Sequence, residues 1–137
     1  MKKISFFLIL LTTYSLFAQE TTGKVRTQDK YSKAILEINR GYLINDFKAF
    51  DKYFAENGNY NVNGKKFKKN EVREGFSSDH NFFKNIKMPQ SFVETTFYDE
   101  NNNNQVWSHH WGVVESTSKR TNENAAVKSA QSMNVGI

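Results

Sequence analysis

The spacing of apolar residues changes along this chain, and that change restricts the fold more than any other feature. Before Pro89 the apolar residues recur every three or four positions, which is the period of amphipathic helices. After Pro89 they alternate with polar residues over 92–98 and 105–115, as in half-buried antiparallel strands. Helices followed by strands predict an α+β domain, with the helices packed on one face of an antiparallel sheet.

Three helices are predicted before Pro89. The first begins at Tyr31, because its apolar residues share one helical face. The second follows Asp46, whose side chain is a good N-cap. The third covers residues 71–86 and carries His80 on its apolar face.

Turn residues define the remaining elements. Asn63-Gly64 is a strong signal for a two-residue hairpin, which would join residues 59–62 to residues 65–68. A final strand is expected over 125–137, where small and apolar residues alternate.

The first 18 residues have the order of a cleavable secretory signal. Lys2 and Lys3 precede an apolar run, and Ser15 and Ala18 supply the small residues at −3 and −1 of a cleavage site. The alternative, a membrane anchor, is disfavoured because the run is shorter than the roughly 20 apolar residues of a span. A periplasmic or secreted protein is expected, with no membrane anchor after cleavage.

Cleavage after residue 18 of the 137 would leave 119 residues, enough for one domain. Residues 19–29 are polar and are interpreted as a flexible leader, followed by the domain at 30–137. The chain has no cysteine, which excludes a lipoprotein anchor, disulfides and thiolate metal sites.

Charge gives little reason to expect nucleic acid as a partner. The chain carries +5, and loss of the two signal lysines leaves +3. The positive charge is concentrated in Lys65-Lys66-Phe67-Lys68-Lys69, next to the hairpin turn. Such a run binds anions in some proteins, but it is more commonly a solvated hairpin, which is the interpretation favoured here.

This order of elements resembles the nuclear transport factor 2-like superfamily, in particular its SnoaL-like and ketosteroid-isomerase-like groups. The resemblance rests on the stretch 45–57, the Asn63-Gly64 turn, the helix at 71–86 and the strand around Trp107–Trp111. It implies a cone-shaped, cystatin-like roll, in which a curved sheet wraps the helices around a pocket. Members of the superfamily usually have a further strand, so the stop at Ile137 indicates either a fragment, the favoured reading, or a sheet completed by a partner.

His109, Asp79 and His80 are the candidate catalytic residues. His109 shares a strand face with Trp107 and Trp111, and a histidine titrates near working pH. If the third helix lines the pocket, Asp79 or His80 would meet His109 there as an acid–base pair. The alternative is a core histidine bonded to a backbone carbonyl.

Aromatic residues are the candidate ligand contacts, because an apolar pocket lined by rings suits a small apolar ligand. They are Trp107, Trp111, Tyr53, Tyr60 and Phe76. No metal or cofactor is expected: adjacent His109 and His110 face opposite sides of a strand, and there is no glycine-rich phosphate loop.

Three functions remain open from the sequence. The first is binding of a small apolar ligand, or an accessory role, and the second is an isomerase, dehydratase or cyclase reaction. The third is a dimerising interaction module that uses the outer face of the sheet. That face is expected to carry Val106, Ser108, His110 and Val114, with the tryptophans on the inner side.

Overall fold

A computed structural model describes residues 22–134. The predicted signal peptide, the first residues of the predicted leader and residues 135–137 lie outside the described residues. The described part is an α+β domain with three helices and antiparallel strands, which confirms the fold class predicted from the periodicity. The elements in chain order are β1 (Gly23–Arg26), α1 (Lys30–Leu43), α2 (Lys48–Tyr53), β2 (Tyr60–Val62), β3 (Lys65–Phe67), α3 (Lys69–Phe82), β4 (Phe83–Tyr98), β5 (Val106–Ser118) and β6 (Asn124–Asn134).

The strands form two separate sheets. The larger sheet has the order β1-β4-β5-β6, and all of its neighbouring strands are antiparallel. Strands β2 and β3 pair only with each other. Helix α1 packs on β4 and β5, so one face of the larger sheet is covered.

The hairpin is formed as its turn residues predicted. Asn63 and Gly64 have φ values of 50° and 79°, the left-handed conformation that asparagine and glycine tolerate best. Val62 lies opposite Lys65 across this turn.

The predicted third helix is too long at its C-terminal end. Helix α3 ends at Phe82, and residues 83–86 belong to β4, where Phe83 lies opposite Ser118 of β5. Pro89 also lies within β4 instead of preceding the strand. It falls at a register shift between Lys87 and Gln90, where a missing N–H does not interrupt a regular ladder. Pairing with β5 therefore outweighs the helical spacing.

Part of the predicted leader is ordered. Residues 23–26 form strand β1, which pairs with the end of β4. All four residues are exposed, and the segment Gly-Lys-Val-Arg has only one apolar side chain. The sequence therefore shows no alternation that would predict a strand here. Gly23 permits the pairing, because a Cβ there would lie 2.8 Å from the Phe97 carbonyl oxygen.

The main apolar core lies among the helices and the base of the hairpin. Phe47, Phe50 and Val72 are buried at its centre. Five partly buried side chains pack around them: Ile38, Tyr42, Phe54, Tyr60 and Phe76. Ile35 of α1, Val93 of β4 and Val106 of β5 are also buried.

Candidate functional site

The two faces of the larger sheet are reversed relative to the sequence prediction. Val106, Ser108 and His110 of β5 are buried. The Ser108 hydroxyl forms a hydrogen bond with the Thr95 hydroxyl, which forms another with the Ser32 hydroxyl of α1. These side chains therefore face the helices. Because neighbouring residues of a strand point to opposite sides, Trp107, His109 and Trp111 lie on the uncovered face.

A chain of hydroxyl groups crosses the interface between α1 and the sheet. The Ser32 hydroxyl lies 2.7 Å from a carboxylate oxygen of Asp29, and Thr95 Oγ1 lies 2.8 Å from both Ser32 Oγ and Ser108 Oγ. An ionised carboxylate only accepts hydrogen bonds, so Ser32 donates to Asp29. Each hydroxyl has one hydrogen, so Thr95 then donates to Ser32, and Ser108 donates to Thr95.

Asp29 is the charged end of this chain. Its carboxylate also accepts hydrogen bonds from the backbone N–H groups of Tyr31 and Ser32, at 2.8 and 3.1 Å, and so caps α1. Partial burial acts to raise the pKa of Asp29, but the hydrogen bonds from Ser32 and Tyr31 outweigh it and hold the pKa below its usual value.

His110 is the titratable group buried in this interface. Its Nε2 lies 3.2 Å from Ser91 Oγ, whereas its Nδ1 has no hydrogen-bond partner. Burial lowers the pKa of His110, which favours the neutral ring. Gly112 gives the ring room, because a Cβ there would lie 3.1 Å from His110 Nε2. The buried Nδ2 of Asn39 on α1 likewise has no partner.

The uncovered side of the sheet carries a cluster of rings, which we call the aromatic face: Phe92, Trp107, His109 and Trp111. Phe92 and Trp111 are 53% and 42% exposed, and their ring centres are 5.8 Å apart. His109 stacks against Trp111 at 5.7 Å, with 25° between the ring planes. Trp107 Nε1 donates a hydrogen bond to Gln105 Oε1 at 3.0 Å.

The structure does not bring the candidate catalytic residues together. Asp79 accepts a hydrogen bond from the Tyr42 hydroxyl at 3.0 Å, and His80 Nε2 lies 2.7 Å from the Tyr42 carbonyl oxygen. Both contacts join α3 to α1 on the helix side of the sheet, while His109 lies on the aromatic face. Burial and the hydrogen bond to Asp79 raise the pKa of Tyr42, so its hydroxyl stays protonated. The Asp79–His80 pair thus holds two helices together.

The candidate ligand-binding residues lie in three separate places. Trp107 and Trp111 belong to the aromatic face. Phe76 and Tyr60 pack in the helical core, where Tyr60 stacks on Phe54 at 5.4 Å. Tyr53 is exposed on α2, and its hydroxyl donates to Glu37 at 2.8 Å.

Open clefts occur elsewhere on the domain. One, of about 470 Å³, is lined mainly by polar residues near the register shift of β4 and includes the ion pair of Lys87 with Glu115. Another, of about 410 Å³, is lined by residues 26–29. Neither cleft includes a ring of the aromatic face.

Within residues 22–134, no three His, Asp or Glu side chains are grouped so that they could hold a metal ion. None of the helices in that range is long and apolar enough to cross a membrane. No protein-family model matches the chain, and neither a curated protein nor a solved structure matches it.

Sequence reasoning missed the hydroxyl chain and Phe92. A local signal existed for one end, because an aspartate placed directly before an apolar helical pattern, as Asp29 is, is a typical N-cap. No spacing in the sequence links Ser32 to Thr95, which is 63 positions away. Phe92 was assigned to a strand, but its role depends on which face the helices cover.

Proposed function

We propose that this chain is an exported interaction module and that two copies associate through the aromatic face. The observation that carries the proposal is the exposure of Phe92 and Trp111 on the face of the larger sheet opposite to the one on which α1 packs. Large apolar groups exposed together are typical of interaction sites, and aromatic rings are enriched at the centres of interfaces. Export rests on the order of residues 1–18.

The size of the aromatic face suits a second copy. Strand β6 has 11 residues paired along β5, which corresponds to a length of roughly 36 Å. Three strands about 4.8 Å apart give a projected area on the order of 500 Å². The accessible surface is larger than this projected area, because the side chains project from the sheet. A dimer interface here would bury roughly 600 Å² on each partner, which is small for a specific protein–protein interface.

The charges on this face also fit a symmetric pair. Glu94 of β4 lies opposite His109, and Lys128 of β6 lies opposite Val113, so Trp111 lies midway between the two charged residues. A two-fold axis through Trp111 would place Glu94 of one copy near Lys128 of the other. Such an interface is isologous, the usual arrangement in homodimers.

The resemblance to the nuclear transport factor 2-like superfamily is also part of this proposal, and it rests on the order of elements. Two helices, a hairpin, a third helix and three long antiparallel strands follow one another as the resemblance implies. The cone-shaped curvature of the sheet is part of this proposal. The dimer surface proposed here differs from the one predicted from the sequence. Ser108 and His110 are buried, so the two copies would meet through the opposite face of the sheet, which carries the tryptophans.

A small apolar ligand on the aromatic face is the second candidate. The stacked rings of Trp111 and His109, with Phe92 beside them, form a platform on which a flat apolar molecule would lie. This candidate uses the same side chains, so the experiment must separate it from self-association.

Sedimentation velocity over a range of concentrations tests the proposal with the chain that begins at Gln19. We expect a monomer–dimer equilibrium that Trp111→Ala weakens about 30-fold, the effect of losing roughly 2 kcal/mol from an interface centre. Phe82→Ala is the matched control, because Phe82 is 63% exposed on α3 and lies outside the aromatic face. Charge reversals at Glu94 and Lys128 should each weaken the dimer, and the double reversal should restore it.

A wild-type chain that stays monomeric up to millimolar concentration would overturn self-association. In that case, binding of anilinonaphthalene sulfonate that Trp111→Ala removes and Phe82→Ala preserves would favour the small-ligand candidate. Equal effects of Trp111→Ala and Phe82→Ala on both readouts would contradict both uses of the aromatic face.

A further inference from the structure

The hairpin formed by β2 and β3 is a second surface, separate from the aromatic face. We call residues 60–69, which comprise the hairpin, Lys68 and the first residue of α3, the basic hairpin, because four of the five residues from Lys65 to Lys69 are lysines. No acidic residue occurs between Asn57 and Asn70. The hairpin forms its own two-stranded sheet, and nearly all of its residues are exposed.

Most of this positive charge is not neutralised within the described chain. Lys69 lies 3.4 Å from a Glu56 carboxylate oxygen and donates a hydrogen bond to the Asp51 carbonyl. Lys65, Lys66 and Lys68 form no ion pair with any residue in 22–134. Three lysine charges therefore face solvent on one short projection.

Exposed apolar side chains lie next to these charges. Val62 is 43% exposed and Phe67 is 37% exposed. Val62 lies opposite Lys65, and Phe67 opposite Tyr60, so all four share one side of the hairpin. Tyr60 stacks on Phe54 and fixes the base of that side to the helical core. Val62 and Phe67 therefore share their side with Lys65, whereas Lys66 points to the other side and reaches the same surface only through its long, flexible side chain.

We infer that the basic hairpin docks on an anionic lipid surface. Lysine ammonium groups would lie at the lipid phosphates, while Val62 and Phe67 would enter the region just below them. A soluble polyanion would use the charges alone and leave these two apolar side chains in water. The inference does not rest on the proposed dimer, because no residue of the aromatic face takes part.

Sedimentation with vesicles tests this inference. The wild-type chain should bind vesicles of phosphatidylglycerol and phosphatidylcholine mixed at about 3:7, and hardly bind pure phosphatidylcholine. Each lysine near an anionic surface is worth about fivefold in binding, so the triple variant K65Q/K66Q/K68Q should bind on the order of 100-fold more weakly. The matched control K24Q/K33Q/K84Q has the same net charge and removes three exposed lysines elsewhere, so it should retain most of the binding.

Phe67→Ser separates a lipid surface from a soluble polyanion, with its circular dichroism checked against the wild-type chain. It should weaken vesicle binding several-fold and leave retention on an immobilised polyphosphate column unchanged. Equal losses in the two triple variants would overturn the inference, because binding would then follow net charge. Binding to polyphosphate without binding to the anionic vesicles would overturn it as well, and would assign the hairpin to a soluble anion.

Discussion

The direction of the buried hydroxyl chain predicts an unequal response to three small substitutions. Thr95 is fully buried, and Thr95→Val keeps its shape while removing the hydroxyl. Ser108 then keeps a buried donor with no acceptor, and stranding such a donor costs about 2 kcal/mol. Ser32→Ala should lower the free energy of unfolding by more, about 3 kcal/mol. It leaves the Thr95 O–H without an acceptor and removes a charge-assisted hydrogen bond to Asp29. Ser108→Ala leaves no buried O–H without an acceptor and should lower the free energy of unfolding by about 1 kcal/mol.

Urea unfolding followed by tryptophan fluorescence measures these differences. A loss of 2 kcal/mol corresponds to a midpoint lower by about 1 M for a small domain. The double variant Thr95→Val with Ser108→Ala should cost less than the sum of the two single changes, because the donor stranded by the first is absent. Thr96→Val is the control, since Thr96 is the next residue on β4 and points to the opposite face.

Two results would refute this reasoning. One is a larger loss for Ser108→Ala than for Thr95→Val, because the donor direction would then be reversed. The other is strict additivity of Thr95→Val and Ser108→Ala, because it would show that the two hydroxyls do not depend on each other.

Three further predictions concern single positions. The pKa of Asp29 is lowered in the folded state. The contribution of Asp29 to the free energy of unfolding is therefore fully present above the pKa of the unfolded chain, ~3.9, and is lost as pH falls through the pKa of the folded chain. Asp29→Asn should lower the free energy of unfolding at pH 7 and make its decrease in acid smaller. The pKa of His110 is also lowered, so the contribution of the neutral ring to the free energy of unfolding should be fully present above about pH 6.5 and decrease below that pH. His110→Gln should remove this decrease in urea titrations between pH 7 and 5. Gly64→Ala should cost about 1 kcal/mol in thermal unfolding because Gly64 has φ of 79°, whereas Gly75→Ala in the middle of α3, where a Cβ meets nothing, should stabilise slightly.

Local signals in the sequence were sufficient for several elements. The Asn63-Gly64 turn fixed its hairpin, because few residues other than asparagine and glycine adopt two successive left-handed conformations. The first helix needed only its own spacing and was predicted to within one residue of its start at Lys30. Residues 83–86 were assigned wrongly, because their partner in β5 is more than 30 positions away.

The alternation in β5 determined that two sets of side chains lie on opposite faces, but not which set the helices cover. Both sets contain apolar groups, and the size of Trp107 and Trp111 favoured the wrong side. The tertiary structure decided the matter, since Ser32 of α1 meets Thr95 and Ser108 across the interface and satisfies hydroxyls that would otherwise be costly to bury. Periodicity is a property of neighbouring residues and can be read from the sequence alone. The choice of face depends on contacts between distant segments and appears only when the chain is folded.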